Sequence, residues 1–410
     1  MSSYDVIIIG GGPSGMMAAG RAAERGRRVL LLEKNRVLGK KLSITGGGRC
    51  NITNAEMDVR TFLDHYGENA KFFFSAFSQF GVQHTFHFFE SHGLPLVTEA
   101  HKRVFPRSQS AEDVTKTMKA YASHSGVTIR TAVRVDGFIM NEGKIVGVKT
   151  NHGDFKAENF VLATGGLSHP ETGASGEGFS WLRELGHSVT EPNPDIVPLT
   201  VGEDWVKNAS GRTLSFMKIT FGEGKQKFLK VGKILFTHFG LSGPLILNSA
   251  HQVKKLLKDG DVPATIDMYP DTDVVTLRNR VLAVFDANKN KQLKNVLKEC
   301  VPHGMEGAVL EQLDTELAEM KVHSVGKEER LALVDRLKAM PLTVTGTMGF
   351  EWAVVSDGGV DLTEVDTRTF ASKIHPNLFL TGDVLNVNRP SGGFSLQLCW
   401  TSGYISGSHV

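Results

Sequence analysis

Gly10-Gly11-Gly12-Pro13-Ser14-Gly15 places glycine at the first, third and sixth positions of a run that follows an apolar stretch and opens a helix-forming one. In such a run the first glycine permits a tight turn, the second lets a pyrophosphate approach the backbone, and the third lets helix and strand pack closely. The helix N-terminus then offers unpaired N–H groups and a positive dipole to phosphate. Glu33 ends the next apolar run, where a carboxylate accepts from ribose hydroxyls. This is dinucleotide chemistry, and the motif alone does not separate FAD from NAD. Two distant segments do. Ala163-Thr164-Gly165-Gly166 and Thr381-Gly382-Asp383 each follow an apolar run. FAD is long and binds extended, so its flavin end needs contacts that a first β-α-β unit cannot supply. Asp383, at a strand end, suits a ribityl hydroxyl. Gly392-Gly393, just before a final helical stretch, would let N–H groups reach the flavin pyrimidine edge, with the positive helix end stabilising negative charge there.

These residues need a scaffold, and the pattern supplies one. Residues 4–9 are a β-branched apolar run, the mark of a strand buried on both faces. Residues 13–25 have helix character, with Ala18, Ala19, Ala22 and Ala23 giving propensity and close packing. Residues 29–32 form a second buried strand, so the start is β-α-β and the sheet parallel. Residues 39–54 are a glycine-rich loop. Residues 60–124 read mostly as helix, interrupted near 93–106. Residues 127–130, 132–140 and 144–150 alternate between turn signals and predict a small β-meander. Residues 160–163 and 378–380 are further buried strands. Between them, 195–270 is strand-rich with little helical periodicity, and 271–340 is charged, Leu-rich and spaced for helices.

Composition narrows the classes. The chain has 410 residues, enough for two or three domains. Lys+Arg total 46 against 44 Asp+Glu, a net charge of +2 that does not announce a nucleic-acid binder. Three separated cysteines make neither a disulfide framework nor a four-thiolate zinc site. No apolar run approaches the roughly 20 residues that span a bilayer. The first residues lack the basic start of a signal peptide, so the reading is a cytoplasmic protein.

Single residues carry competing readings. Cys50 adjoins Arg49, which would lower its pKa and favour a redox role; without a partnering C-x-x-C, the plainer reading is a packed thiol beside the cofactor. His84, His87 and His92 match no standard zinc spacing and sit among phenylalanines, so no metal site is expected. His238 is a candidate acid or base, with a structural hydrogen bond as the alternative. Lys40, Lys41 and Arg49 are candidates for phosphates or a substrate anion. Lys225, Lys227, Lys230 and Lys233 read as a solvated face.

The run Gly39-Lys40-Lys41-Leu42-Ser43-Ile44-Thr45-Gly46-Gly47-Gly48-Arg49-Cys50-Asn51-Ile52-Thr53-Asn54 resembles the signature of the BaiN/YhiN (RdsA) family of FAD-dependent oxidoreductases, which also contains aminoacetone oxidase-type members. Further similarity lies in Phe105-Pro106-Arg107-Ser108, in residues 163–166 and 235–244, in Asp357-Gly358-Gly359-Val360, and in the tail 378–407. The resemblance implies an α/β Rossmann-like FAD-binding domain built from both chain ends (1–191 and 345–410). It implies an inserted β-barrel-like domain (192–270 and 335–344) that itself carries a helical insert (271–334). It implies cofactor contacts from Gly10, Gly12, Pro13, Ser14 and Gly15; from Glu33, Lys34 and Lys41; from Thr45, Gly46, Gly47, Gly48, Arg49, Cys50 and Asn51; from Val133; from Ala163, Thr164 and Gly165; and from Gly382, Asp383, Gly392, Gly393 and Phe394. The tail departs from the family pattern, which commonly has Gly-Glu at Gly382-Asp383, Leu-Asp at Leu385-Asn386, and Gly-Gly-Tyr-Asn at residues 392–395, where this chain has Gly-Gly-Phe-Ser.

The expected activity is FAD-dependent oxidoreduction with non-covalent FAD. NAD(P)H would reduce the flavin transiently, and hydride would pass to a polarised C=C bond. No second G-x-G-x-x-G follows a strand; Gly173-Ala174-Ser175-Gly176-Glu177-Gly178 lacks that context. The rival readings are an oxidase of a small amine that makes H₂O₂, flavin-dependent modification of uridine in RNA, and a flavin-binding structural or sensor protein. A small-molecule substrate is favoured over RNA by the charge, and no membrane partner is expected. Substrate, nicotinamide preference and oligomeric state are left open.

Overall fold

The structure, a computed structural model, describes residues 4–123 and 126–410. The chain divides into two compact units. One comprises residues up to Pro194 together with Ala353–Val410, and the other is Asp195–Trp352.

In the first unit, β1 (Tyr4–Ile9) leads through α1 (Pro13–Glu24) into β2 (Val29–Glu33). β1 lies between two parallel neighbours, with Val6 opposite Val29 and also opposite Asn159. Its apolar run is continuous because both faces are covered. Ile7, Ile9, Leu30 and Leu32 pack on one side with Phe62, Phe73 and Phe77. Val6, Ile8, Val29 and Leu31 pack on the other with Met16, Met17 and the alanines of α1. Each such fully buried side chain contributes roughly 1.5–3 kcal/mol. The C-terminal helix, Phe394–His409, lies against α1. Backbone contact is possible because it carries Gly403 and Gly407; a Cβ at Gly403 would stand 2.4 Å from the Ser14 carbonyl oxygen.

The strand Phe155–Leu162 pairs with three others, in two directions. Its first residues pair antiparallel with Lys144–Thr150, Val148 opposite Phe155. Its last residues pair parallel with β1 and with Leu378–Leu380, Leu162 lying opposite both Ile9 and Leu380. The expected meander is only partly present. Val135–Asn141 and Lys144–Thr150 form the hairpin, but Val127–Thr131 instead joins β2 in parallel, Val29 opposite Val127. The helix Ala111–Ala122 supplies the crossover that a parallel pair requires, and Val127 and Ile129 pack onto the α1 side of the sheet.

The second unit is a closed antiparallel barrel of six strands. In order around it these are Leu199–Val201, Gly240–Ser242, Phe228–Thr237, Thr213–Phe221, Val262–Asp267 and Met340–Thr347. Leu199 opposite Thr347 closes the ring. Ile219, Phe221, Ile234, Phe236, Ile266 and Val344 are buried. Five helices between Val274 and Lys338 separate the last two strands. The stretch read as strand-rich also holds the helix Pro244–Leu256. Pro244 starts it, and Leu245, Ile246, Ser249, Ala250 and Val253 form its buried stripe, a helical spacing that the flanking strands obscure.

Candidate cofactor site

A cleft opens in the first unit at the ends of β1, β2 and Phe155–Leu162. Its geometry follows from three glycines. Gly10 has φ +109°, and a Cβ there would meet the Ala163 carbonyl oxygen at 2.4 Å. At Gly15 a Cβ would stand 1.9 Å from the Gly10 carbonyl oxygen, so the turn of α1 sits directly on the end of β1. Gly12 differs. It is extended, at φ −78°, and a Cβ would meet nothing within 4 Å. The second glycine faces open space, as a pyrophosphate approach requires. The first turn of α1 presents N–H groups that the helix itself cannot pair.

The rim is held by charge. Glu33 is only 8% exposed. Its Oε2 accepts from the Gly11 N–H at 2.7 Å, and its Oε1 accepts from the Asn35 N–H at 2.7 Å and Nδ2 at 2.8 Å. It thus ties the phosphate loop to the end of β2 while lining the cleft. Lys34 Nζ donates to Glu177 Oε2 at 2.7 Å and pairs with Ser175. Partial burial works to raise the Glu177 carboxyl, but hydrogen bonds from Lys34 and Ser175 outweigh it and hold it below the usual carboxylate range. Lys41 Nζ donates to Ser168 Oγ at 3.2 Å and its carbonyl at 3.3 Å. Val133 donates its N–H to the Glu33 carbonyl oxygen at 3.0 Å.

The two chain ends meet at this cleft. Thr381 Oγ1 donates to Ser14 Oγ at 3.2 Å, and the Gly382 N–H donates to Ser402 Oγ at 2.9 Å. Asp383 lines the cleft beside Ala163, Thr164 and Gly165. Thr164 also lines the cleft, but its Oγ1 is packed against Gly178. The open face at Gly12, with the carboxylates of Glu33 and Asp383 on the same wall, makes these residues a fit for FAD.

Gly10, Gly12, Pro13, Ser14, Glu33, Lys34, Lys41, Val133, Ala163, Thr164, Gly165 and Asp383 therefore share one cleft, with Gly15 and Gly382 directly behind it. The other expected contacts do not line it. Gly46, Gly47 and Gly48 form an exposed left-handed turn, and Thr45 Oγ1 donates to the Leu42 carbonyl. Asn51 Oδ1 accepts from the Val104 N–H at 3.2 Å. Gly392 accepts from Asn54 Nδ2 at 3.2 Å, Gly393 caps the C-terminal helix, and the Phe394 ring packs in the core, tilted, with its centroid 4.8 Å from that of Phe62.

Of the two readings of Cys50, the surroundings favour the packed thiol over one activated by Arg49. Arg49 pairs with Glu99, donates to Gln109 Oε1 at 2.6 Å and lies 4.1 Å over the Phe105 ring. Cys50 is fully buried, and burial pushes its thiol up to about 12, against a smaller opposing hydrogen bond with Thr45. It is a packed neutral thiol. His238 belongs to the barrel unit, its ring 5.0 Å from that of Phe239. His84 Nδ1 accepts from the Gly81 N–H at 3.2 Å as a helix cap.

Several cleft residues escaped the sequence reading: Asn35, Arg134, Thr172, Trp181, Glu177 and Cys399. The signal for Glu177 was present in the glycine-rich run 173–178, which was weighed only as a nicotinamide loop. Burial pushes the Cys399 thiol up to about 12, so the cleft wall there is uncharged.

The HI0933-like protein Rossmann domain matches residues 4–409. The chain belongs to this family. Along 98% of its length, the HI0933-like chain is 30% identical to a 3-dehydro-bile acid delta(4,6)-reductase of Clostridium scindens, covering 97% of that protein. It is 29% identical to a ribosomal RNA dihydrouridine synthase of Escherichia coli, again over 98% and 97% of the two chains. The fold also resembles a 3-ketosteroid-delta4-(5alpha)-dehydrogenase from Rhodococcus jostii RHA1 (TM-score 0.53, 13% identity, 99% and 96% covered) and a flavocytochrome c3 fumarate reductase (TM-score 0.51, 17% identity, 99% and 78% covered). This is a family of flavin-dependent oxidoreductases, the one to which the glycine-rich run and the tail pointed. No helix among the described residues is long and apolar enough to cross a membrane.

Proposed function

We propose that this chain binds FAD non-covalently in the cleft and catalyses NAD(P)H-driven reduction of a polarised C=C bond in a small molecule. The observation that carries the reading is one cleft built from both chain ends, with the open face at Gly12 at one place and the Asp383 carboxylate at another. The names of the two full-length relatives both describe saturation of C=C bonds, which supports the reaction type.

In this reading Gly12 and the first turn of α1 hold the pyrophosphate, Glu33 faces the adenosine ribose, and Asp383 takes a ribityl hydroxyl. When bound, FAD supplies hydride acceptance and donation at N5. The protein's part is orientation and electrostatics. Lys41, on the cleft wall near Gly165, adds positive charge. Burial pushes the thiols of Cys50 and Cys399 up to about 12, so neither adds a thiolate charge at neutral pH.

Anaerobic stopped-flow on the purified protein tests this. NADH or NADPH should bleach the flavin absorbance near-stoichiometrically, and an enone should restore it faster than buffer alone. Bleaching by aminoacetone with reoxidation by O₂, and none by either nicotinamide, would establish the oxidase reading in its place.

A further inference from the structure

Arg389 is 2% exposed, and no other Lys or Arg among the described residues is so buried. A buried guanidinium must find fixed partners. Its Nη2 pairs with Asp383 Oδ1, its Nε donates to Ser395 Oγ at 3.1 Å, and its Nη1 donates to the Val387 carbonyl oxygen at 2.5 Å. One side chain thus joins the turn Gly382–Val384, the following loop and the first turn of the C-terminal helix. Arg389 does not line the cleft, but Asp383 does. Two of the four positions at which the tail departs from its family pattern, Asp383 and Ser395, end on this guanidinium.

We propose that Arg389 is a positioning residue for the cofactor. It binds one oxygen of Asp383, fixes the carboxylate on the cleft wall and cancels its charge. FAD carries two phosphate charges, and a bare buried carboxylate in the same cleft would oppose it. The ion pair lets the wall keep a hydrogen-bond acceptor without a net negative charge, and it lets the short Asp be held where a longer acid would reach by itself.

This inference rests on the FAD reading, and the experiment separates the two. Full-length apoprotein would be titrated with FAD for wild type, Arg389→Met, Arg389→Lys, Asp383→Asn and the double variant Arg389→Met/Asp383→Asn, with circular dichroism as folding control. Flavin midpoint potentials would be measured for each loaded protein. Arg389→Met should weaken FAD at least tenfold and lower the potential, because an unpaired carboxylate disfavours added electrons. Arg389→Lys should recover part of the affinity. The double variant should bind better than Arg389→Met, because the unpaired charge is gone. Should Arg389→Met not fold, Arg389→Lys against wild type and the double variant against Asp383→Asn carry the same comparison. A wild-type apoprotein that takes up no FAD overturns the cofactor reading itself. Wild type that binds FAD, with Arg389→Met within twofold in affinity and unshifted in potential, overturns the role of Arg389 alone. So does a double variant no better than Arg389→Met.

Discussion

Two glycine-rich turns of the first unit, residues 10–15 and 46–48, read alike in sequence and differ in what surrounds them. In the first, a Cβ at Gly10 or Gly15 would strike backbone at 2.4 or 1.9 Å, and only Gly12 faces space. In the second, all three residues have positive φ (59°, 66° and 84°), yet a Cβ on Gly47 or Gly48 would meet nothing within 4 Å. The first turn needs glycine at Gly10 and Gly15 because other atoms are close; at Gly12 the space is open, and the proposed reading puts the pyrophosphate there. At Gly47 and Gly48 the second needs it only because L-residues disfavour that backbone conformation, while a Cβ at Gly46 would also stand 3.2 Å from the Asn51 nitrogen. A glycine motif therefore has three separable causes: packing, ligand approach and backbone conformation. Each predicts a different failure.

The largest effect should follow Gly15→Ala, which cannot be placed without moving β1 away from α1. A loss of about 3 kcal/mol is expected, the upper end of overpacking costs. Thermal melts should fall with or without added FAD, and an unchanged melt of the apoprotein would remove the packing explanation. Gly12→Val should do the reverse. Its backbone is ordinary and its surroundings open, so the apoprotein should melt as wild type does. Flavin affinity, read by titration, should fall by more than a hundredfold, and near-normal uptake would move the pyrophosphate elsewhere in the cleft.

Asp383→Asn comes next, sharpening the comparison at the far end of the same cleft. Losing one charge-assisted hydrogen bond costs about 1.5–3 kcal/mol, roughly a ten- to hundredfold loss of FAD affinity. Asn is the substitution of choice because Ala would also strand the Arg389 guanidinium and so destabilise the fold. Smallest should be Gly48→Ala, about 1 kcal/mol from the left-handed backbone alone, with FAD affinity unaltered. A large loss of flavin in that variant would show that the exposed turn does touch the ligand, and the contrast between the two turns would collapse.

The architecture was legible where one residue pattern had one physical solution. The β-branched run 4–9 had to be buried on both faces, and the G-x-G-x-x-G after it had to turn into a helix. Apolar runs ending in Gly at 163–166 and 381–382 announced a cleft shared by both ends of the chain. Legibility failed where local pattern is degenerate. Alternation in residues 127–131 marks a strand but not whether its partner runs parallel or antiparallel. The helix at residues 244–256 was masked by β-rich flanks. Adjacency suggested that Arg49 acts on Cys50, but the arginine finds its carboxylate at Glu99, and burial decides the thiol. Pairs such as Lys34 with Glu177, or Arg389 with the cleft-lining Asp383, depend on where strands end in space. No spacing rule reports that.

The pairing of Phe155–Leu162 bears on how the chain is made. Thr381, just past the closing strand, bonds to Leu162 across 219 residues. At about 5–20 residues per second of synthesis, roughly 10–45 s pass on the ribosome between the emergence of the two partners. For that interval Phe160–Leu162 lacks the strand on one of its two sides, and an unpaired apolar edge recruits other chains. The barrel unit lies wholly within this interval and can finish folding before the sheet does. C-terminal truncations ending before Leu378 should be lost to aggregation during translation rather than accumulate as colourless protein.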